Sequence, residues 1–297
     1  MEETKLMFGQ EELKIPKIIH HVWFDMGNGT TVPEKYDKMM KSKKTFMPEK
    51  SSSNPDGWTY VLWDEKMAME LLESEYSWFV PYFTTYKNPI CKVDAIRYFI
   101  LHRYGGVYMD QDLLLHKSIE PALMGHEVVL VKGSFVSNVL NINQKNVELY
   151  DQDKINVNNY FLAAVSGHPF FEHVIYQLVG FHQAWYHIKG SAISVLKVTG
   201  PKFLSKCIES FKQISDPEQD YRIHVLPQMS FFNQSLVERV FSMDANDSDQ
   251  WFYGTHEYHA SWFGWQKKKW WLAGGGFLIL VLLIVTIVMV KKRKTKL

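Results

Sequence analysis

One segment, Lys92 to His116, restricts the fold more than any other stretch of the chain: KVDAIRYFILHRYGGVYMDQDLLLH. Val93, Ile96, Ile100 and Tyr104 recur at steps of three and four, which lines them along one face of a helix. Gly105-Gly106 stops that helix, because glycine enters the conformations of a helix C-terminus without a Cβ penalty. Val107-Tyr108-Met109 then reads as a buried strand, and Asp110-Gln111-Asp112 follows at its C-terminal end. Helix, glycine stop and strand in immediate succession form a unit of an α/β sheet.

The rest of the chain repeats that alternation. Ile15 to Phe24 contains an apolar run, Ile18 to Phe24, bounded by Pro16 and by Gly27-Asn28-Gly29, and reads as a strand. Residues 25–57 are polar and suggest a helix with loops. Trp58 to Trp63 reads as a second strand and Glu65 to Glu75 as the helix after it. Val128 to Val131 and Phe161 to Val165 are strand-like, and Gly167-His168-Pro169 leads into a helix reaching Phe181. Thr199-Gly200-Pro201 opens another helix, Ile223 to Leu226 reads as a late strand, and the acidic run 242–250 as loop. With 297 residues and 46% hydrophobic content, the chain can bury one sizeable core. A formal net charge of +1 gives no global pull toward nucleic acid. Cys91 and Cys207 permit one disulfide at most, and no Cys/His cluster has zinc-ligand spacing.

The C-terminal part differs in kind. From Trp270 to Val290 no charge interrupts 21 residues. That length suffices for a helix to cross a hydrocarbon core of about 30 Å. Lys267, Lys268 and Lys269 precede the run, and Lys291, Lys292, Arg293, Lys294 and Lys296 follow it. Trp270 and Trp271 stand where indole rings prefer the headgroup region. The N-terminal residues are acidic and lack the apolar core of a secretory signal. The expected organisation is a polar leader at 1–14, a catalytic domain at 15–265, and a single transmembrane helix with a basic tail at 266–297. Basic residues at both ends leave the orientation open.

Alternating side chains in a strand would turn Asp110 and Asp112 to the same spot if strand geometry persisted through them. Two carboxylates on one spot repel unless a cation lies between them, and hard oxygen donors suit Mg²⁺ or Mn²⁺. Such an ion would neutralise a leaving diphosphate. An Asp-x-Asp is weak evidence alone. Its place at the carboxyl end of a sheet strand, where open α/β sheets bind ligands, strengthens it. Asp94 and Arg97 lie one turn apart on the preceding helix, either as a surface ion pair or as groups that hold sugar hydroxyls. The apolar surroundings Ala95-Ile96-Arg97-Tyr98-Phe99 make full solvent exposure of Arg97 uncomfortable. His20 and His21 read as structural, facing opposite sides of their strand.

With these residues in view, the chain resembles the family 32 glycosyltransferases, the group with a DxD-containing sugar-binding region. The resemblance covers most of residues 15–265. It rests on Ile15-Pro-Lys-Ile-Ile-His-His-Val-Trp, on Asp94-Ala-Ile-Arg-Tyr, and on Tyr104-Gly-Gly-Val-Tyr-Met-Asp-Gln-Asp. Asn158-Asn-Tyr-Phe-Leu-Ala-Ala, Gly167-His-Pro-Phe, Thr199-Gly-Pro and His259-Ala-Ser-Trp continue it. The family includes fungal α-mannosyltransferases, one branch of which mannosylates inositol phosphoceramide. It implies a GT-A fold, a nucleotide-sugar donor, a Mn²⁺-type metal and retention at the anomeric carbon. By resemblance, Trp23 stacks on the nucleotide base, and Asp94, Arg97 and Asp110 bind the donor. Asp110 and Asp112 serve the metal, His259 completes the metal or diphosphate site, and Ser261 and Trp262 lie against the diphosphate. The resemblance assigns no catalytic nucleophile or base.

The expected activity is transfer of a hexose, mannose from GDP-mannose ahead of a UDP-hexose. The expected acceptor is a membrane glycolipid such as an inositol phosphosphingolipid, in the Golgi or another endomembrane. Anchoring raises the effective concentration of membrane acceptors, and Lys267 to Lys269 would favour an anionic head group. The alternatives are a protein or protein-linked glycan as acceptor, or a tethered sugar-binding protein with a decayed site.

Overall fold

A computed structural model describes residues 12–25, 29, 31–86, 88–133, 156–183, 192–216, 221–231 and 252–257. They all belong to one compact unit, Met1–Glu257. The uncharged run 270–290 lies outside the described residues. Among those described, no helix is long and apolar enough to cross a membrane.

The centre is a six-stranded mixed sheet in the order β2-β1-β3-β6-β5-β7. Its strands are β1 (Ile18–Val22), β2 (Thr59–Trp63), β3 (Gly106–Met109), β5 (Val128–Lys132), β6 (Val157–Ala164) and β7 (Ile223–Leu226). Strand β1 runs parallel to both β2 and β3, whereas β6 is antiparallel to β3 and to β5. A second, two-stranded sheet pairs β4 (Leu113–Leu115) with β8 (Gly254–His256), antiparallel. The sequence reading placed the strands of the main sheet, with β6 starting four residues earlier than expected. It missed β4 and β8, which are three residues each and too short to carry a period.

Both faces of the main sheet are covered, so the inner strands β3 and β5 are largely apolar on both sides, whereas β1 carries His20-His21 and β6 carries Asn158-Asn159. One face packs on the helices α2 (Glu65–Glu75), α3 (Val80–Thr85), α4 (Pro89–Tyr104), α6 (Pro169–Gln183) and α8 (Pro201–Ile214), through residues such as Tyr108, Leu130, Leu162, Phe99 and Phe170. The other face packs Ile19, Val107, Met109, Val129 and Phe161 against Met47 and Trp58 and against the Leu113 and Leu115 side chains of β4. The helix α1 (Asp37–Phe46) lies against β4. The short helices α5 (Glu120–Leu123) and α7 (Ala192–Val198) complete the set. Cys91 and Cys207 are buried and free.

Helix α4 positions the site. Asn88 caps it, accepting from Ile90 N–H, and Pro89 occupies the first turn, where its missing donor is harmless. The end is set by Gly105 (φ 64°) and Gly106 (φ 88°). A Cβ on Gly106 would sit 2.5 Å from the Ile18 carbonyl oxygen, and one on Gly105 would sit 2.6 Å from Ser166 N. The two glycines therefore let the chain reverse directly into β3 while β1 and β6 close on either side.

Candidate active site

Strands β1 and β3 are parallel, so their C-terminal ends lie at the same edge of the sheet. Trp23 follows the first, and Asp110 follows the second. Trp23 is partly exposed; its ring stands edge-on to Tyr36 at 5.7 Å, and Nε1–H donates to Gly29 O at 3.3 Å. An indole so held at the ligand end of a sheet is available to stack on a planar group.

Helix α4 contributes a buried ion pair. Arg97 is 3% exposed and Asp94 6%. Their guanidinium and carboxylate meet at 2.8 Å. The second guanidinium nitrogen donates to Asn159 O at 2.5 Å and lies 3.5 Å from Asp110. The guanidinium carbon sits 4.4 Å from the centre of the Tyr108 ring. Asp94 also accepts from Asn159 Nδ2 at 3.0 Å and from Thr199 Oγ1 at 3.2 Å. Burial pushes the Asp94 carboxyl up to about 6, against the opposing pull of Arg97. The surface-pair alternative for these two residues is thus overturned: the apolar neighbours of Arg97 carry it into the core.

Asn159 reaches Asp94 because β6 is irregular there. Leu130 pairs with Leu162 but Val131 with Asn158, so residues 159–161 bulge out of the pairing with β5 while Phe161 keeps its pairing with Met109 of β3. Bulges commonly re-aim side chains next to active sites. In this bulge, Asn159 turns to Asp94, Tyr160 O accepts from Asp110 N–H at 2.8 Å, and the Tyr160 ring stacks 4.3 Å from the His256 ring.

Asp110, Gln111 and Asp112 do not continue β3 as a strand. They form a turn into β4, with Leu113 N–H on Asp110 O. The expectation of strand alternation through the motif is corrected here. Asp110 N–H still makes the next bond of the β3–β6 ladder, to Tyr160 O, and the chain then reverses to reach β4. The carboxylates converge all the same. Asp112 lies 3.0 Å from His256 Nε2, Asp110 lies 3.8 Å from it, and ligand atoms of all three residues fall within 4.8 Å of one another. Tyr108 Oη–H donates to Asp110 at 2.6 Å. Two carboxylates and an imidazole are the donor set of a divalent cation, so the residues fit the metal that the motif implies.

The turn is held from below. Lys43 of α1 is fully buried, and its ammonium donates to Asp110 O at 2.9 Å and to Gln111 O at 3.2 Å. Burial pushes it down to about 7, with Asp110 and Asp112 pulling it back up. His21, also buried, donates from Nδ1 to Met109 O at 2.7 Å. His20, on the opposite face, accepts from Trp63 Nε1–H and donates from Nε2 to Gly105 O. Both histidines are structural and opposed, as the alternation of β1 requires.

Trp23, Asp94, Arg97, Asp110 and Asp112 thus gather at one edge of the sheet. His259, Ser261 and Trp262 lie outside the described residues. Sequence reasoning missed Lys43, Tyr108, Asn159, Thr199 and His256 as site residues. Asn159 and Thr199 stood within motifs that carried the resemblance. Lys43 and His256 carried no signal, because a lysine in a lysine-rich helix and a histidine in a three-residue strand look ordinary.

Residues 37–130 match the family described as glycosyltransferase sugar-binding region containing DXD motif. The chain is 31% identical to an inositol phosphoceramide mannosyltransferase of Schizosaccharomyces pombe, over 74% of this chain and 58% of the relative. It is 29% identical to a mannosyl phosphorylinositol ceramide synthase of Saccharomyces cerevisiae, over 78% of this chain and 54% of the relative. The chain therefore spans little more than half the length of the curated relatives it matches. Among solved structures, the PaToxG glycosyltransferase aligns with 67% of this chain and 69% of its own at a TM-score of 0.43 and 18% identity, a loose likeness.

Proposed function

Taking residues 37–130 as a glycosyltransferase sugar-binding region of the DXD family, we propose that this chain is a metal-dependent, retaining mannosyltransferase of GT-A fold. The proposed donor is GDP-mannose, and the acceptor is the head group of an inositol phosphosphingolipid. The observation that carries the reading is the convergence of Asp110, Asp112 and His256 beside the buried Asp94–Arg97 pair. That arrangement sets a cation-binding group next to two rigid, charged hydrogen-bonding groups, which is what a nucleotide-diphospho-sugar requires at its diphosphate and at its sugar. The named activities of the relatives supply the sugar and the acceptor.

Each side chain has a role on this reading. Trp23 stacks on the base at the end of β1. Arg97 and Asp94 face the sugar hydroxyls, held by Asn159 and Thr199 so that little reorganisation accompanies binding. Asp110 and Asp112, with His256, would hold a divalent cation such as Mn²⁺, which would supply positive charge against the leaving diphosphate. The roles carried by the resemblance for His259, Ser261 and Trp262 are contacts to the metal or diphosphate. The chain is anchored in an endomembrane of the Golgi type by residues 270–290, beside its lipid acceptor.

The test is a panel of GDP- and UDP-sugars with Mn²⁺, in detergent, with and without inositol phosphoceramide. GDP-mannose turnover that rises with the lipid is the expected result. Turnover of a UDP-hexose alone would replace the donor, and transfer to protein but not to lipid would replace the acceptor. No turnover of any donor, slow hydrolysis included, would overturn the enzyme reading.

A further inference from the structure

Burying an ammonium without a carboxylate in contact with it is strongly unfavourable. Lys43 is in that position: fully buried, with its ammonium met by two carbonyl oxygens and by no carboxylate among the described residues. A Met in its place would anchor α1 against the core without that penalty. The two oxygens belong to Asp110 and Gln111, within the acidic motif itself. His21 Nδ1–H holds the preceding carbonyl, that of Met109. Three successive carbonyls, the last of β3 and the next two, are therefore fixed by two buried side chains. Ser42, the neighbour of Lys43, takes the Leu115 N–H on its Oγ at 3.0 Å, so α1 holds both ends of the segment 110–115. The same segment fixes the imidazole. Leu113 pairs with His256 across β4 and β8, and Glu257 N–H donates to Asp112 O at 3.0 Å.

We propose that Lys43 is a positioning residue for the acidic pair, fixing the backbone turn from which Asp110 and Asp112 reach the cation, with His21 and Ser42 as its partners. The inference rests on the metal-site reading above and assigns Lys43 no contact with substrate. It acts on the metal through backbone geometry, as outer-shell partners do, and such partners change metal affinity by about 10–100-fold.

Geometry and charge predict opposite signs. Removing a cation near two carboxylates would tighten Mn²⁺ binding if charge alone mattered. Loss of the carbonyl clamp would weaken it. The experiment titrates Mn²⁺ alone into the full chain in detergent, reads free Mn²⁺ by its paramagnetic resonance signal, and records thermal unfolding of each variant. Lys43→Met is expected to weaken binding about 10–100-fold, and Lys43→Gln, whose amide keeps N–H donors without the charge, to weaken it less. Unchanged or tighter binding in either folded variant would overturn the proposal. Loss of the unfolding transition in both variants would make Lys43 a purely structural residue and overturn it equally. A wild-type chain that binds no Mn²⁺ would sink the metal-site reading and this inference with it, which separates that failure from a failure of Lys43 alone.

Discussion

On the helix side of the site, Asp94 is met within 3.2 Å by Arg97, Asn159 and Thr199 and is almost fully buried. On the strand side, Asp110 and Asp112 crowd around one imidazole at a turn, and both keep some exposure to solvent. The residue types are similar and the halves are adjacent, with Arg97 reaching both carboxylates. They differ in what completes them. The chain's own donors complete the first, which makes it rigid and part of the core. The second gathers acceptors at a distance suited to a cation. The comparison teaches that burial and the number of the chain's own donors around a carboxylate set how rigidly it is held before any ligand arrives.

The largest effect should come from the ligand half. Asp112→Ala is expected to lower transfer by about 10³-fold or more, the loss of roughly 4 kcal/mol of transition-state stabilisation. Its unfolding midpoint should stay near that of the wild type. Donor turnover and a thermal melt on one preparation check both; an intact rate would mean that Asp112 serves no metal.

Arg97→Met should do the reverse, striking the fold first. It leaves Asp94 uncompensated in the core and removes the cation beside Asp110, at an expected 3–5 kcal/mol of stability, approximately the measured range for broken buried pairs. Denaturant unfolding would show it. A variant as stable as the wild type would erase the distinction between the two halves.

A third test uses acid. His20 is buried against Trp63 and Gly105, and burial lowers it from 6.5 to about 4. Because the folded value lies below the unfolded one, its contribution is present above pH 6.5 and is lost as pH falls through about 4. That contribution amounts to about 3 kcal/mol. His20→Gln should flatten the fall in unfolding free energy between pH 7 and pH 4 relative to the wild type. Equal slopes in the two proteins would refute the assignment.

The smallest effect is expected at the far end of α4, where Arg103 meets Glu75 at 3.2 Å with both side chains exposed. Glu75→Gln should change stability by no more than about 0.5 kcal/mol. The same helix then carries one ion pair that the fold depends on and one that it does not.

Much of this was legible beforehand. The period of Val93, Ile96, Ile100 and Tyr104 located α4, and Gly105-Gly106 located its end, because helix period and glycine conformation are local properties. The main sheet strands were legible for the same reason: each is an apolar run bounded by turn residues. The acidic pair was legible as a motif, and its neighbours Asp94 and Arg97 were legible by helical spacing. What escaped was non-local. Lys43 and Asp110 are 67 residues apart and Asp94 and Thr199 are 105 apart, and nothing in the residues between them announces the meeting.

The sequence by itself determined the α/β class, the order of its main elements and the edge of the sheet at which the candidate site residues gather. Those follow from period, glycine and the ends of strands. Only the tertiary structure decided that Asp94 and Arg97 are interior, that Asn159 is turned toward them by a bulge, and that His256 stands with the two aspartates. It alone set Lys43 beneath their turn. Each of these depends on which strand lies beside which. That order is fixed by the packing of the sheet faces against helices distant in the chain, a property no short stretch of residues contains.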